Sequence, residues 1–402
     1  MKFEINSGCL TTVIKAVKTG GHISDILWIK ADNKGIQIKV PTREELTVSL
    51  RINNTEQTDL KYVCYEPGFI KVNTAALNNI LKKCEASQSV LIHHIATNII
   101  AVLSQDVEAM VTLEYCNSVM TSVALDKPEQ MFAVERDVFV DSVRAVNFAK
   151  GHNPIKPYFN GIFVEASKNK LRCFAGMGSF FAIKETKSKL LQSNEQINIF
   201  LPGTSIGCIV TAFSALSTPV LECKLFCKGE ICVLSSGYLE LRIEKILILN
   251  FPGINEYLMY DFPNKLCVRM SDLRTVIKSI QAAADNAHKH GDNSLCVVDI
   301  TVDTNAGNML LTWGAVARGN IPLTVNTVFQ TDKGGIIELR SDIKNLSLIC
   351  KSWRTSEEIT IFYDKNKMPI VVRPSNKEAT LENESDAVLS SMCKKKMPND
   401  NS

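Results

Sequence analysis

The sequence predicts an α+β chain in which one domain, built from two helices and antiparallel sheets, occurs three times in tandem. Two helical phrases that each occur three times predict the repeat, and short alternating runs between them predict the sheets. The 402 residues are enough for two or three domains of ordinary size, and the repeat selects three. Solenoid units have roughly 20 to 50 residues, so a period this long is that of a whole small domain.

The first phrase is an amphipathic helix with apolar residues at positions i, i+3, i+4 and i+7. It begins at Leu10, returns 129 residues later at Phe139, and returns after a further 134 residues at Leu273. Ser142 is the one polar residue in this apolar pattern. We therefore expect one face of each of these three helices to be buried.

The second phrase is a shorter helical pattern that follows each copy of the first. It begins at Leu77, Ile206 and Ile343, which are 67, 67 and 70 residues after Leu10, Phe139 and Leu273. This near-constant offset predicts the same internal layout in all three domains.

Capping residues fit several of these helices. Pro202 is placed to open the second helix of the middle copy, near the position where proline is tolerated. In the last copy, Ser271 or Asp272 can begin the first helix, and Ser341 or Asp342 can begin the second.

Short strands are predicted between the helices, because the runs there alternate or are apolar and are separated by turn residues. Each domain is expected to have roughly six to eight strands. The predicted strands cover residues 23–31, 35–39, 45–52, 90–92, 99–103, 109–114, 161–165, 170–174, 180–185, 221–227, 231–234, 240–246, 294–302, 308–311 and 359–362.

The domain boundaries are expected at two polar segments that contain proline, near residues 126–128 and 261–263. The predicted domains are therefore residues 1–127, 128–260 and 261–402. The last domain ends in a polar tail over about 375–402, which we expect to be mobile apart from residues 387–389.

Composition narrows the possible functions. The net charge of +3 is too small for a broadly polybasic protein, so any contact with nucleic acid depends on where the charges lie. The thirteen cysteines lie mostly in apolar runs, including Cys173, Cys208, Cys232 and Cys296, which predicts buried free thiols in a reducing compartment. The N-terminus has no signal-peptide pattern and no apolar run is long enough to span a bilayer, so we expect a soluble cytoplasmic protein with no membrane contact.

Basic residues recur in and beside the predicted helices. Lys15, Arg144 and Lys278 occupy the same place in the three copies of the first phrase. Positive charge repeated in register suits contact with phosphates independent of base sequence, whereas solvated helix faces are the alternative interpretation. The candidate DNA-binding residues on these helices are Lys15, Lys18, Lys82, Lys83, Arg144, Lys150, Arg274, Lys278, Lys344 and Lys351. The second helix of the middle copy has no basic residue, which weakens the pattern.

No set of residues points to catalysis, to a metal or to a cofactor. The sequence has no phosphate-binding glycine loop, no G-x-S-x-G and no H-E-x-x-H. The His288–His290 stretch is polar and is interpreted as an exposed loop. We therefore predict a binding protein that is not an enzyme, and keep an enzyme on a repeated α+β scaffold as the alternative from another class.

Four strings of residues resemble the beta subunit of bacterial DNA polymerase III, the sliding clamp family. Residues 156–162, K-P-Y-F-N-G-I, resemble the family's R-P-x-L-N-G-V turn, and residues 171–175 resemble the strand that precedes its T-D-G-H-R-L motif. Residues 251–257 resemble its F-P-D-Y segment, and residues 368–374 resemble its K-P-V-L-I-R-P strand. Together with the triple repeat, the likeness extends over nearly the whole chain in order.

The resemblance implies the DNA clamp fold and its function as a processivity factor. It implies that two chains join head to tail in a ring lined by helices, that double-stranded DNA passes through the ring, and that the clamp tethers the replicative polymerase. The clamp loader is a further implied partner, and the clamp is a noncatalytic part of the polymerase complex. By the same resemblance, Lys156 and Tyr158 would lie near DNA.

The resemblance also implies a groove that takes short apolar peptides from polymerases and the loader. The lining residues by position are Phe159, Gly176, Gly178, Ser179, Phe180, Phe181, Pro252, Tyr257, Pro369 and Met392. The chain departs from the family here, because residues 176–181 read G-M-G-S-F-F where the family has T-D-G-H-R-L. This departure motivates an alternative function: a divergent clamp paralogue, specialised or of mobile-element origin, that serves a private partner or acts as a decoy.

Overall fold

The computed structural model describes most of the chain. The described residues are 1–19, 25–39, 47–53, 61–114, 125–151, 159–177, 180–191, 196–226, 230–244, 262–289, 297–303, 305–314, 316–324, 327, 336–352, 357–364, 367–375, 386–390 and 393–394.

Six α-helices lie in the described part of the chain, two for each predicted copy. They are α1 Ser7–Thr19, α2 Thr74–Leu81, α3 Arg136–Val146, α4 Gly203–Ser214, α5 Met270–Lys289 and α6 Ile343–Ser352. A short 3-10 helix, Asn147–Ala149, follows α3 directly.

The strands fall into three corresponding groups. Around α1 and α2 lie β1 Lys2–Asn6, β2 Ile26–Asp32, β3 Gly35–Lys39, β4 Thr47–Asn53, β5 Tyr62–Glu66, β6 Gly68–Asn73, β7 Ser89–Ala96, β8 Ile99–Leu103 and β9 Glu108–Thr112. Around α3 and α4 lie β10 Gln130–Glu135, β11 Gly161–Ser167, β12 Lys170–Met177, β13 Phe180–Lys187, β14 Ile197–Pro202, β15 Val220–Phe226, β16 Ile231–Ser236 and β17 Leu239–Glu244. Around α5 and α6 lie β18 Asn264–Arg269, β19 Val297–Asp303, β20 Asn308–Trp313, β21 Ala317–Pro322, β22 Ile336–Asp342, β23 Glu358–Asp364, β24 Lys367–Pro374, β25 Asp386–Ser390 and β26 Cys393–Lys394.

One motif, strand–helix–strand–strand–strand, occurs six times along the chain. The six motifs begin at β1, β6, β10, β14, β18 and β22, and each of these strands runs directly into its helix. Only β5 and β26 lie outside the motif among the described strands. Two motifs therefore make one copy, and the threefold repeat predicted from the sequence is confirmed in the order of the elements.

The two motifs of each copy exchange their first strands. In the first copy β1 pairs antiparallel with β7, and β6 pairs with β2. The second copy repeats this with β10–β15 and β14–β11, and the third with β18–β23 and β22–β19. Each motif thus contributes its opening strand to the sheet of the other motif.

The described chain divides into two compact units. The first comprises residues 1–144, 161–171 and 187–250, and the second comprises residues 145–160, 172–186 and 251–402. The first contains a five-stranded sheet in the order β5-β1-β7-β8-β9 and an eight-stranded sheet in the order β10-β15-β16-β17-β4-β3-β2-β6. The second contains the series β13-β25-β24-β23-β18 and a five-stranded sheet in the order β21-β20-β19-β22-β26. The three domain boundaries remain predictions.

The apolar positions of the first helical phrase are buried as predicted. Leu10, Phe139 and Leu273 are each at most 2% exposed, because one face of each helix packs on the sheets. Ser142, the polar exception, is itself buried at 1% exposure. In the second phrase, Leu77 and Ile206 are likewise fully buried.

The helix ends agree with the predicted caps in two places and differ in two others. Pro202 is the N-cap of α4, and the Asp342 carboxylate accepts the Lys344 N–H at 2.8 Å at the start of α6. Helix α5 begins at Met270, just before the predicted Ser271 or Asp272. It also continues through Lys289, so the prediction of an exposed loop at His288–His290 is wrong for its first two residues; His290 lies outside the described residues.

Candidate nucleic-acid and partner interfaces

The three basic residues in the repeated slot all lie on exposed helix surface. Lys15 on α1, Arg144 on α3 and Lys278 on α5 are exposed, while the apolar residues that precede them in the phrase are largely buried. Sequence periodicity therefore predicted their exposure correctly. Whether they meet phosphates stays a prediction.

Arg144 is held in place by two polar contacts. Its Nη1 lies 2.7 Å from Asp141 Oδ1, and its Nη2 donates to the Ser214 hydroxyl on α4 at 3.0 Å. The Arg144 side chain is still 54% exposed, so this pair adds little to stability. The contacts instead restrict the direction in which the guanidinium points.

Most of the other predicted helix cations are exposed but not all lie on helices. Lys18 lies in the last turn of α1, and Lys344 in the first turn of α6. Lys82 and Lys83 are exposed in the turn that follows α2, where the sequence had suggested helix.

Two predicted cations are partly buried and have structural contacts. The Arg274 guanidinium donates to the backbone carbonyl of Cys350 near the C-terminus of α6, where the helix dipole favours positive charge. Lys150 follows the 3-10 helix and is half-buried, and burial lowers the pKa of its ammonium group. Both residues differ from the exposed Lys15 and Lys278 in this respect.

Three predicted DNA contacts fall where the structure gives no side chain. Lys156 and Tyr158 lie outside the described residues, and Lys351 belongs to α6 but its side chain is not described.

The described part of the predicted peptide groove is an aromatic surface on β12 and β13. The rings of Phe174 and Phe181 stack with their centroids 5.4 Å apart and their planes 17° apart. Gly176 lies beside this stack, since a Cβ built there would be 1.9 Å from Cδ1 of Phe181. A glycine at this position therefore permits the half-buried Phe181 ring to lie flat against the strand.

The structure separates two neighbouring groove candidates. Successive side chains of a strand point to opposite faces, so Phe180 points away from Phe181. Phe180 is fully buried and its ring packs edge-on against Phe148 of the 3-10 helix, 6.1 Å between centroids. Phe159 is half-buried, and its carbonyl accepts the Gly151 N–H at 2.8 Å. Gly178, Ser179, Pro252, Tyr257 and Met392 lie outside the described residues, as does the side chain of Pro369 in β24.

A buried ion pair continues the aromatic surface along the same two strands. Arg172 donates to Glu185 Oε2 through Nε at 3.0 Å and through Nη2 at 2.6 Å, and the Glu185 side chain is only 6% exposed. Burial lowers the pKa of the neighbouring Arg373, and the charge of Glu185 partly offsets this effect. Sequence analysis missed this pair, although a charged residue at the same alternation as buried residues in each of two facing strands was a usable signal.

Burial of the cysteines follows the sequence prediction. Cys173, Cys208 and Cys232 are fully buried, and burial raises the pKa of the Cys173 and Cys208 thiols. Nine cysteines lie in the described residues and all are free; Cys296 lies outside them. Among the described residues no three metal-binding side chains lie close enough to hold one ion. No helix in the described part of the chain is both long enough and apolar enough to cross a membrane.

No protein-family model and no curated protein sequence matches the chain, so comparison rests on solved structures. The DNA polymerase III subunit beta from Pseudomonas aeruginosa is similar with a TM-score of 0.75 at 13% identity, covering 98% of this chain and 100% of that one. The DNA polymerase III beta subunit from Thermotoga maritima gives 0.75 at 15% identity with the same coverage. A Pseudomonas aeruginosa DNA polymerase sliding clamp with a ligand gives 0.74 at 13% identity, again with 98% and 100% coverage.

These likenesses establish the fold. The chain has the α+β architecture of the sliding clamps over nearly its whole length, which confirms the predicted fold class.

Proposed function

We propose that this chain is a DNA sliding clamp, a processivity factor that encircles duplex DNA and tethers the replicative polymerase during DNA replication. The observation that carries the proposal is the sixfold strand–helix–strand–strand–strand motif, together with full-length likeness to sliding clamps at a TM-score of 0.75. In this proposal the chain performs no chemical step of its own, because topology supplies retention on DNA.

Ring closure is supported by which strand edges remain open within one chain. The last strand of a motif pairs with the last strand of another motif in two places, β17 with β4 and β13 with β25. The equivalent strands β9 and β21 end their sheets and have one described neighbour each. Pairing β9 of one chain with β21 of a second, twice, would close a head-to-tail ring of two chains.

Contact with DNA is supported by the exposed cations at equivalent helical positions. Lys15, Arg144 and Lys278 recur in register, and their charge is available to phosphates of any base sequence. The low net charge of +3 fits a protein whose positive charge is needed at one surface only. Lys18, Lys82, Lys83 and Lys344 belong to the same proposed contact, whereas the contacts of Arg274 and Lys150 make them weaker candidates.

Tethering of the polymerase and of the clamp loader is proposed for the aromatic surface of β12 and β13. The stacked Phe174 and Phe181 rings offer flat apolar area of the kind that takes short apolar peptides.

A second candidate function keeps the fold but changes the partner: a clamp paralogue that serves a private polymerase or acts as a decoy. The Phe181 ring stacked over Gly176 favours it, because this ring occupies the strand surface where a glycine leaves room. The two candidates differ in one measurement. A generic apolar clamp-binding peptide should bind a replicative clamp with ordinary affinity and a specialised paralogue poorly.

The first experiment is molar mass by light scattering across a dilution series. A stable mass of twice 44.6 kDa is expected for a closed ring of two chains. The protein should then stay on nicked circular DNA and slide off after linearisation, since only a topological link depends on the DNA ends. A monomer at every concentration, or equal retention on the two DNA forms, would contradict the ring.

A further inference from the structure

We propose that the outer face of strands β6, β2, β3 and β4 binds a single-stranded nucleic acid. We call this surface the Trp28 face and define it by Trp28, Lys30, Lys39, Arg51, Phe69 and Lys71. These residues alternate with the core residues Leu27, Ile29, Ile38, Ile52 and Ile70, so they lie on the side of the sheet opposite the core. The proposal goes beyond the clamp function and does not depend on it.

Two aromatic rings form the centre of the Trp28 face. Trp28 and Phe69 pack edge to face with centroids 6.1 Å apart and planes at 85°. Lys71 is paired with Trp28 in the ladder, and its Nζ lies 3.8 Å from the indole centroid. Because Lys71 is only 6% exposed, this cation–π contact fixes the orientation of the half-buried indole.

Cations flank both rings in a regular pattern. Lys30 is exposed and pairs with Phe69, while Lys39 pairs with Trp28 from the other side. Residues two apart on a strand are roughly 6.6 Å apart and neighbouring strands are roughly 4.8 Å apart. Rings and positive charges therefore alternate over distances comparable to one nucleotide.

The positive charge of this face is largely uncompensated. The four strands contain one acidic residue, Asp32, whose carboxylate accepts the Lys34 N–H at 2.8 Å in the β2–β3 turn. Lys30 and Lys39 have no ion pair among the described residues. Arg51 stands opposite Glu240 in the β4–β17 register and is the least available of the cations.

The rest of the same sheet shows what a compensated surface looks like. On the outer side of β15, Lys224 lies 2.7 Å from Glu222, and on β17 Arg242 lies 2.8 Å from Glu244. In the described part of this sheet, the alternation of rings with cations that lack a carboxylate partner is thus confined to β2, β3 and β6. It is a local feature and not a general property of the sheet.

The combination of rings with cations favours a single strand over the other anionic partners. An acidic peptide would use the cations alone, and a duplex keeps the faces of its bases stacked inside. An unpaired strand offers phosphates to the lysines and free base faces to the rings, and this stacking tolerates any sequence.

The test measures binding of a fluorescein-labelled oligothymidylate by anisotropy at low salt, with the full-length protein. Lys30→Glu with Lys39→Glu should weaken binding at least tenfold, since it removes two phosphate contacts and adds repulsion. Trp28→Leu should weaken it at least about fivefold, because the ring on which a base stacks is removed. The control Lys127→Glu with Lys187→Glu makes the same charge change at exposed lysines elsewhere and should leave binding within about twofold.

A spectroscopic readout separates stacking from general electrostatic attraction. The oligonucleotide should quench tryptophan emission of the wild-type protein, and Trp28→Phe should remove that quenching while retaining most of the affinity. Three results would overturn the proposal: no binding by the wild type, equal loss in the control variant, or poly-glutamate competing as well as the oligonucleotide with no effect of Trp28→Leu. The duplex retention assay is a separate measurement, so failure here leaves the clamp proposal standing.

Discussion

At the scale of single residues, Gly176 shows how one missing side chain shapes a surface. A Cβ there would overlap the Phe181 ring, so Gly176→Ala must displace the stack on Phe174. We expect a loss of roughly 1–3 kcal/mol in unfolding free energy by urea denaturation, as for other overpacked sites. In the background of Phe181→Ala the same substitution should cost much less, because the clashing ring is gone. Equal costs in the two backgrounds would contradict this account.

Arg172 and Glu185 depend on each other because both are largely removed from water. Replacing Arg172 with leucine leaves the Glu185 carboxylate buried without its bidentate partner, and such losses are about 3–5 kcal/mol. The double variant Arg172→Leu with Glu185→Leu should recover most of that stability, since no buried charge remains. Thermal unfolding of the two single variants and the double variant measures this coupling. A double variant as unstable as the sum of the singles would argue against a buried pair.

Glu135 gives unfolding a dependence on acid pH. Burial tends to raise the pKa of its carboxyl, but hydrogen bonds from the Ser188 hydroxyl and from the Lys189 and Leu190 N–H groups outweigh it and lower the pKa below 4.5. A lowered pKa in the folded state stabilises above the unfolded value, and this stabilisation disappears as pH falls. Glu135→Gln should therefore be less stable than wild type at pH 7, and the difference should shrink progressively below about pH 4.5. A difference that is constant from pH 7 to pH 3 would exclude this role.

At the scale of elements, the open strands β9 and β21 make ring closure testable without disturbing the core. Leu113 N–H donates to Asn98 and Leu323 N–H to Gly307, so by alternation the N–H groups of Met110 and Asn320 point away from their own sheets. Asn320→Pro or Met110→Pro should then break a two-chain ring while each chain stays folded, because proline is tolerated where an edge N–H faces solvent. Light scattering should give a monomer for either proline variant and a dimer for the controls Asn320→Ala and Met110→Ala.

The elements also mark where sequence patterns succeed and fail. The helices were predictable because Leu10, Phe139 and Leu273 each start a stripe of helical period with one buried face. The strands β1, β6, β10, β14, β18 and β22 were missed, since each runs into its helix with no turn residue between them and its short alternation merges into the helical pattern. The groove was named from resemblance, but only coordinates separate Phe180, which faces the core, from Phe181, which does not.

At the scale of the whole molecule, contact with DNA should appear as a salt dependence. Replacing Lys15, Arg144 and Lys278 together with alanine should weaken duplex binding and flatten the plot of log affinity against log salt by roughly 0.9 for each phosphate that the protein no longer neutralises. Triple replacement of the exposed Lys61, Lys127 and Lys187 changes the net charge equally and serves as the control. Equal flattening by both triples would mean that binding senses total charge and not the helix positions.

The exchange of first strands between paired motifs has a consequence for synthesis on the ribosome. Strand β1 finds its partner β7 only after residues up to about 96 have been made, and β10 must wait in the same way for β15. No single motif can complete a sheet as it emerges, so the nascent chain should acquire protease resistance in steps of two motifs. A pause placed after the first motif of a copy would hold the chain at its most aggregation-prone length, whereas a pause between copies would be harmless.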